Sequence, residues 1–519
     1  MNLSLIYNKE PELTFGFSQR AHDPRDGLTL FGPHESLDPF SVKAGVVGTQ
    51  EGLLHYKSFV EKINKPIFST KQIYGVVKSD ELARPSFPGF EAVFNIRWPK
   101  NPELALFLDQ NYISRILLEE KNKKRRTNLL VDFYLERIVS STQKDDSSVN
   151  IWFIVVPRSL YFKCKPGSAG RDLSSGTRAF VQQTKAGQSY FDFPGEENYI
   201  KELEKLIDTS SDFHHLLKAR LIQEKITVPV QIILDSTLQF KDKYRNQSLD
   251  ENMKAHLAWT QSTTLYYKLG KLPWKLSDIR DGVCYLGLVF KKVNQVKNAG
   301  SVCSAAQMFL KDGDGSVFRG NVGAWQSKNE KEFHLDEKSS NELLAMALDD
   351  YFEKWNKFPI ELFIHGRAKF SDDEWKGFEK ALNERNAKTK LIGVVIKDTA
   401  QLKLFRDALG EKSNYGVIRG MAVKINEREA YLVTRGFIPR LNTAPSLEIP
   451  NSLHIQITRG EKDIETVIKD VLALTKLNYN ACLYSDGLPV TLRFSDTIGN
   501  ILTATDNLKT DQRQFKYYI

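Results

Sequence analysis

The residues best suited to hold an anion lie between Phe213 and Leu276, in FHHLLKARLIQEKITVPVQIILDSTLQF, a polar link, then TTLYYKLGKLPWKL. His214 and Lys218 stand four apart in a helical pattern, so their side chains share one face and can close on one ligand. Gln231 lies in the strand-like run VPVQIIL, and Lys268 opens the turn KLGKLPW. A histidine, two lysines and an amide at the edge of an α/β unit suit the oxygens of a terminal phosphate. Each residue also has an ordinary alternative: a solvated helix face for His214 and Lys218, a strand-edge cap for Gln231, turn chemistry for Lys268.

Holding such groups in place calls for alternating strands and helices. Residues 1–40 read as a strand, NLSLIY, and a turn-rich linker whose Pro and Gly forbid a long helix. In residues 41–276, SVKAGVVG is a strand, TQEGLLHYKSFVEKINKP an amphipathic helix and FEAVFNIRW a second strand. One long helix follows around ISRILLEEKNKKRRTNLLVDFYLERIVSS, and VNIWFIVVP is a strand buried on both faces. This alternation predicts a parallel, doubly wound sheet with ligand groups near the strand ends, where the phosphate site is expected. The bases of EEKNKKRR, from Glu119 to Arg126, read as a solvated helix end, with phosphate-backbone contact the alternative. Residues 164–192, rich in Gly and Ser, read as a loop.

A new unit, residues 277–519, opens with the strand DGVCYLGLVFKKV and a hairpin with Gly-Asp-Gly at its tip. The helix SNELLAMALDDYFEKW, strand IELFIHGRA, helix DDEWKGFEKALNER and strand KLIGVVIK follow, then a β-rich stretch and a helix around ETVIKDVLALTKLNYNA. Known chemical motifs fail. Gly45, Gly48 and Gly52 match neither GxGxxG nor GK[ST], which leaves tight-turn geometry as their reading. Asp312, Asp314 and Ser316 begin like a calcium loop, yet Val317 and Gly323 stand where glycine and glutamate are required.

With 519 residues, 41% apolar and 26% charged, the composition is that of an ordinary soluble protein of several domain-sized units. No apolar run is long enough for a membrane helix, and the N-terminus shows no secretory pattern. A net charge of +9 is compatible with a polyanionic partner. Cys164, Cys284, Cys303 and Cys482 are scattered without a CxxC pair, which fits a reduced, cytoplasmic setting.

His214, Lys218, Gln231 and Lys268, in that order, resemble the guide 5′-phosphate pocket of the MID domain of Argonaute proteins, and DPRDGLTLFGP is similar to a phrase near the start of short prokaryotic members. The resemblance implies a Rossmann-like MID domain at 41–276 and a ribonuclease-H-like PIWI domain at 277–519. It adds a Mg2+ at the guide phosphate, met by Gln231 and the C-terminal carboxylate of Ile519. The family's second lysine, four before the KLG lysine, is Thr264 here, with Lys254 a candidate substitute. In the PIWI pattern Val289 and Gly366 stand at two catalytic aspartates, only Asp496 remains, read as a polar residue at a helix start, and Glu342 is the nearest glutamate to a finger position. The expectation is a chain without target cleavage. It binds guide RNA, pairs it with complementary single-stranded DNA in the basic PIWI groove, and activates an APAZ-fused effector in defence against plasmids or phages. A TIR NADase partner is favoured over sirtuin-APAZ or nuclease-APAZ forms. Two other classes stay open: a stand-alone nucleotide-binding enzyme using Gly45 to Gly52, and a guide-dependent nuclease with unconventional metal ligands.

Overall fold

A computed structural model describes residues 3–36, 41–70, 72–74, 77–79, 84–142, 148–165, 212–278, 280–293, 301–309, 315–319, 334–405, 416–441, 449–505 and 514–519. The chain opens with β1 (Ser4–Tyr7), β2 (Leu13–Thr14), β3 (Arg20–Ala21) and α1 (Pro24–Phe31). Next come β4 (Ala44–Gly48), α2 (Gln50–Ile63), β5 (Gln72–Tyr74), β6 (Val77–Ser79), α3 (Phe90–Phe94), β7 (Leu104–Phe107), α4 (Gln110–Glu119) and α5 (Lys123–Thr142). Then follow β8 (Ile151–Val156), α6 (Arg158–Cys164), α7 (Phe213–Gln223), β9 (Val230–Leu234), α8 (Asp235–Leu238), α9 (Glu251–Lys268) and β10 (Lys275–Leu276). The second half contains β11 (Val283–Val293), β12 (Ser301–Phe309), β13 (Gly315–Arg319), α10 (Glu337–Trp355), β14 (Glu361–Gly366), α11 (Asp372–Glu384) and β15 (Lys390–Thr399). It ends with β16 (Met421–Asn426), β17 (Glu429–Leu432), β18 (Ser452–Arg459), α12 (Ile464–Leu474) and α13 (Val490–Leu502).

The first half is built on a parallel sheet in the order β7-β4-β8-β9. Side chains of β8 alternate between two apolar layers: Phe153 and Val155 pack with Tyr56 and Phe59 of α2, while Trp152 and Ile154 pack with Tyr134 of α5 and Leu216 of α7. Helices on both faces explain why IWFIVV is apolar throughout. Gly45 lies inside β4, not in a turn, and is glycine there because a Cβ would come within 2.4 Å of the Trp152 ring.

Several expected elements change. The linker phrase DPRDGLTLF forms α1, whose N-cap Asp23 accepts from Arg25 N with Pro24 in the first turn. FEAVFNIRW is not a strand. Phe90, Val93 and Phe94 are buried at helical spacing in α3, which left-handed Asn95 ends, and the sheet takes Leu104–Phe107 instead. The single long helix is two, α4 and α5, parted where Glu120 is extended. The polar link before KLG is largely α9.

The second sheet runs β1-β16-β17-β18-β15-β14-β11-β12-β13, with β11, β14 and β15 parallel at its centre. The first strand therefore completes the far edge of the second sheet. α10 and α11 cover one face. α12 and α13 cover the other and share a continuous core with the first half, where Tyr267 stacks on Tyr479 at 4.8 Å. The hairpin tip with Asp312 and Asp314 lies outside the described residues, as does all of the 164–192 loop beyond residue 165. Among the described residues no helix is long and apolar enough to cross a membrane.

Candidate phosphate-binding site

Asp212 caps α7 by accepting from His214 N at 2.9 Å, which sets His214 and Lys218 one turn apart on its face. Lys218 is 3% exposed, and its Nζ donates to the oxygens of Ile519 at 2.5 Å and Tyr518 at 3.4 Å. Lys268, the last residue of α9 and 1% exposed, donates to Val230 O at 2.8 Å and Gln231 Oε1 at 2.6 Å. Gln231 in turn donates to Gln261 Oε1 at 3.4 Å. Two lysines, Gln231 and the chain's last residues thus meet beside the start of β9. His214 is half-buried, and its ring packs edge-on against His215 at 5.4 Å.

The electrostatics are those of a site short of negative charge. Burial pushes the Lys218 ammonium down to about 7. Burial and then the neighbouring Lys218 push Lys268 well below the usual lysine range. The same burial, with Lys218 next in weight, holds His214 neutral. Among the described residues no Asp or Glu side chain pairs with either lysine. A phosphate dianion would supply the missing counter-charge.

Thr264 does not stand in for a third lysine; it is buried and its hydroxyl donates to Thr260 O at 2.9 Å. Lys254 cannot either. It starts the same helix, about 21 Å from Lys268 at 1.5 Å rise per residue, and pairs with Glu251 at 2.6 Å. The site's place in the sheet also differs from expectation, because Gln231 is at the amino end of β9 rather than a carboxyl end. Sequence reading missed Gln261, two helical turns before Lys268 on α9, a spacing visible only once α9 is a helix.

The expected Mg2+ does not fit the donors present. Gln231 Oε1 and the Ile519 oxygen each already accept from a lysine ammonium, and a divalent cation would lie against both. The basic run at the start of α5 is tied locally: Arg126 donates to Glu120 O and Lys163 O, and Arg125 pairs with Glu120 at 3.3 Å.

In the second half, Leu288 pairs with Gly366, so Val289, inside β11, neighbours Gly366 at the carboxyl end of β14. α13 crosses there: Ser495 donates to Gly287 O at 3.1 Å and Thr491 meets His365 Nδ1 at 2.9 Å. Asp496 is mid-helix, not at a helix start, and lies 3.7 Å from Arg367. Among the described residues no group of three His, Cys, Asp or Glu is placed to hold a metal. Glu342 is on α10, 3.9 Å from Lys338.

No family model and no curated protein matches the sequence. Solved structures do match the fold. A Clostridium butyricum Argonaute bound to a guide DNA and a 19-mer target DNA superposes with a TM-score of 0.62 at 15% identity, covering 100% of this chain and 55% of that one. A Drosophila Piwi structure gives 0.58 at 11% identity, covering 98% and 56%. An Aa-Ago structure with externally bound siRNA gives 0.56 at 13% identity, covering 99% and 56%. The chain spans a little over half the length of these proteins, and its fold is Argonaute-like.

Proposed function

We propose that this chain, Argonaute-like in fold, holds a short guide RNA by its 5′-phosphate and uses the guide to capture complementary single-stranded DNA. The observation that carries this reading is the convergence of Lys218 and Lys268, both buried, on one place beside Gln231 with no acidic side chain against them. Burial and the lack of an acidic side chain make both lysines costly to charge, and a terminal phosphate offsets that cost. His214, held neutral, offers a flat ring and a donor to the first nucleotide.

In this reading the first half acts as a Rossmann-like MID domain and the second as a ribonuclease-H-like PIWI domain. Pairing reads the target sequence, while the protein grips the guide's end and backbone. Val289 and Gly366 supply no carboxylate and Asp496 faces Arg367, so the second half binds the duplex without cutting it. The output then belongs to an APAZ-fused effector, with a TIR NADase favoured, as a defence against plasmids or phages in the cytoplasm.

The test loads the purified chain with a 5′-phosphorylated ~20-nucleotide RNA and measures retention of matched and scrambled single-stranded DNA. Retention of the matched strand alone is expected. Equal retention of both removes the guided reading. For the output, a pulldown from the native host is expected to recover an APAZ-type protein, and a complex without one rules out that partner.

A further inference from the structure

The loop that follows α8 is held in one shape by its own backbone. Asp242 N donates to Gln247 O and Asn246 N to Asp242 O, both at 2.8 Å, while Asp242 Oδ1 accepts from Tyr244 N at 2.9 Å and Arg245 N at 2.6 Å. Arg158, at the start of α6, pins the loop from outside by donating to Lys243 O at 2.7 Å and Tyr244 O at 2.6 Å. Tyr244, 57% exposed, is thereby set against α6, where Phe162 lies 5.8 Å from its ring and Tyr161 lies 5.2 Å from Phe162. Lys165 Nζ stands 5.4–5.5 Å from all three rings, and Lys243 Nζ 5.2 Å from Tyr244 and 5.7 Å from Tyr161. Among the described residues no carboxylate pairs with Lys165, Lys243 or Arg245, and the loop's one acid, Asp242, is turned to main-chain N–H groups. Cation–π contact holds the lysines in place. It leaves much of the Tyr244 ring in water, with an excess of positive charge around it.

We propose that this surface binds unpaired single-stranded DNA, namely the 3′ flank of a target held by the guide. Bases of any sequence stack on exposed rings while lysines meet the phosphates between them. The assignment to the flank rests on the guide-binding reading. Guide and target run antiparallel, so beyond the guide's 5′ end the target continues as its 3′ flank. The lysine site that holds the guide's end is at the amino end of β9, and the rings lie past its carboxyl end. From Gln231 to Leu234 the strand spans only about 10 Å at roughly 3.3 Å per residue, a distance that a tail of several nucleotides crosses.

Fluorescence anisotropy with the full chain tests the site first without a guide. A 5′-hydroxyl oligo(dT) of about 12 nucleotides is expected to bind saturably and to lose at least tenfold in affinity in the Lys243→Ala, Tyr244→Ala double variant. Lys165→Glu, made from the α6 side, is expected to act likewise, and Tyr244→Phe, which keeps the ring, to bind as the wild type does. Poly-glutamate is expected not to displace the strand. With the guide loaded, a matched target carrying a 3′ tail of about ten nucleotides should bind at least tenfold tighter than the same target with a 5′ tail. The double variant should erase that difference and leave the tail-free target unaffected. No binding of oligo(dT), or equal binding by the double variant and by Lys165→Glu, overturns the site. Loss in Tyr244→Phe overturns stacking, and displacement by poly-glutamate overturns the preference for nucleic acid. Oligo(dT) binding at the site with no advantage for the 3′ tail overturns the assignment to the flank. Failure of all guided capture while oligo(dT) binding persists strikes the guide reading instead, and the flank with it.

Discussion

Lys218 Nζ lies 2.5 Å from the oxygen of Ile519, 301 positions later in the chain. Tyr517 OH reaches the same region, donating to Thr227 O at 2.6 Å. The last residues thus form one wall of the lysine site. Deleting Ile519, 4% exposed, should cost about 2 kcal/mol of stability from lost burial and reduce binding of 5′-phosphorylated RNA. Thermal melts and fluorescence anisotropy check both; unchanged affinity means the tail is only a packing element.

Affinity for the phosphate should depend on pH. Lys218 and Lys268 have folded pKa values below the usual lysine value of 10.5, so between about 7 and that value the unfolded chain binds more protons. The free protein therefore gains stability as pH rises through that window. A bound phosphate favours the charged lysines and takes up protons, so binding should tighten as pH falls from 9 towards 7. It should weaken again below about pH 6, where the phosphate itself gains a proton. A flat profile for the 5′-phosphate preference would contradict this.

Metal removal should matter little. Gln231 and Ile519 give their oxygens to lysines. EDTA is expected to change the affinity of phosphorylated RNA less than twofold, and a tenfold loss would restore a cation to the site.

The fit of α13 over β11 is tight enough to measure. A Cβ at Gly287 would lie 2.1 Å from Thr491 O, so Gly287→Ala should destabilise the protein by roughly 1–3 kcal/mol, as overpacking does. Matched target DNA should remain intact with Mg2+ or Mn2+ in the wild type and in Asp496→Ala. Cleavage product on a denaturing gel would show a working nuclease.

Glu10 joins the N-terminal segment to Arg419 and Lys476, 1% and 0% exposed, at 2.9 Å each. Burial raises its carboxyl, but Lys476 and Arg419 outweigh that and hold it below the usual range. Its stabilisation is therefore present at neutral pH and is lost as pH falls through the depressed folded value. Glu10→Gln should cost about 3–5 kcal/mol, because it leaves two buried cations; urea melts at pH 7 check it.

Where side-chain chemistry was local, the sequence was readable. Lys218 and Lys268 could be named because their spacing and turn were visible, and IWFIVV announced a strand covered on both faces. FEAVFNIRW misled because Phe90, Val93 and Phe94 fit helical spacing while Ile96 and Trp98 alternate, and only the left-handed turn at Asn95 separates the two patterns. That Lys218 meets Ile519, or that β1 closes the far sheet, depends on contacts hundreds of residues apart. No local pattern carries such information.

The most direct measurement is binding of a labelled ~20-nucleotide RNA with and without a 5′-phosphate, in the wild type and the Lys218→Ala, Lys268→Ala variant. Two charge-assisted contacts are worth a few kcal/mol together, so a preference of about 100-fold for the phosphate should appear in the wild type and vanish in the variant. Equal binding of both RNAs by the wild type, or a preference that survives loss of both lysines, contradicts guide binding at this site.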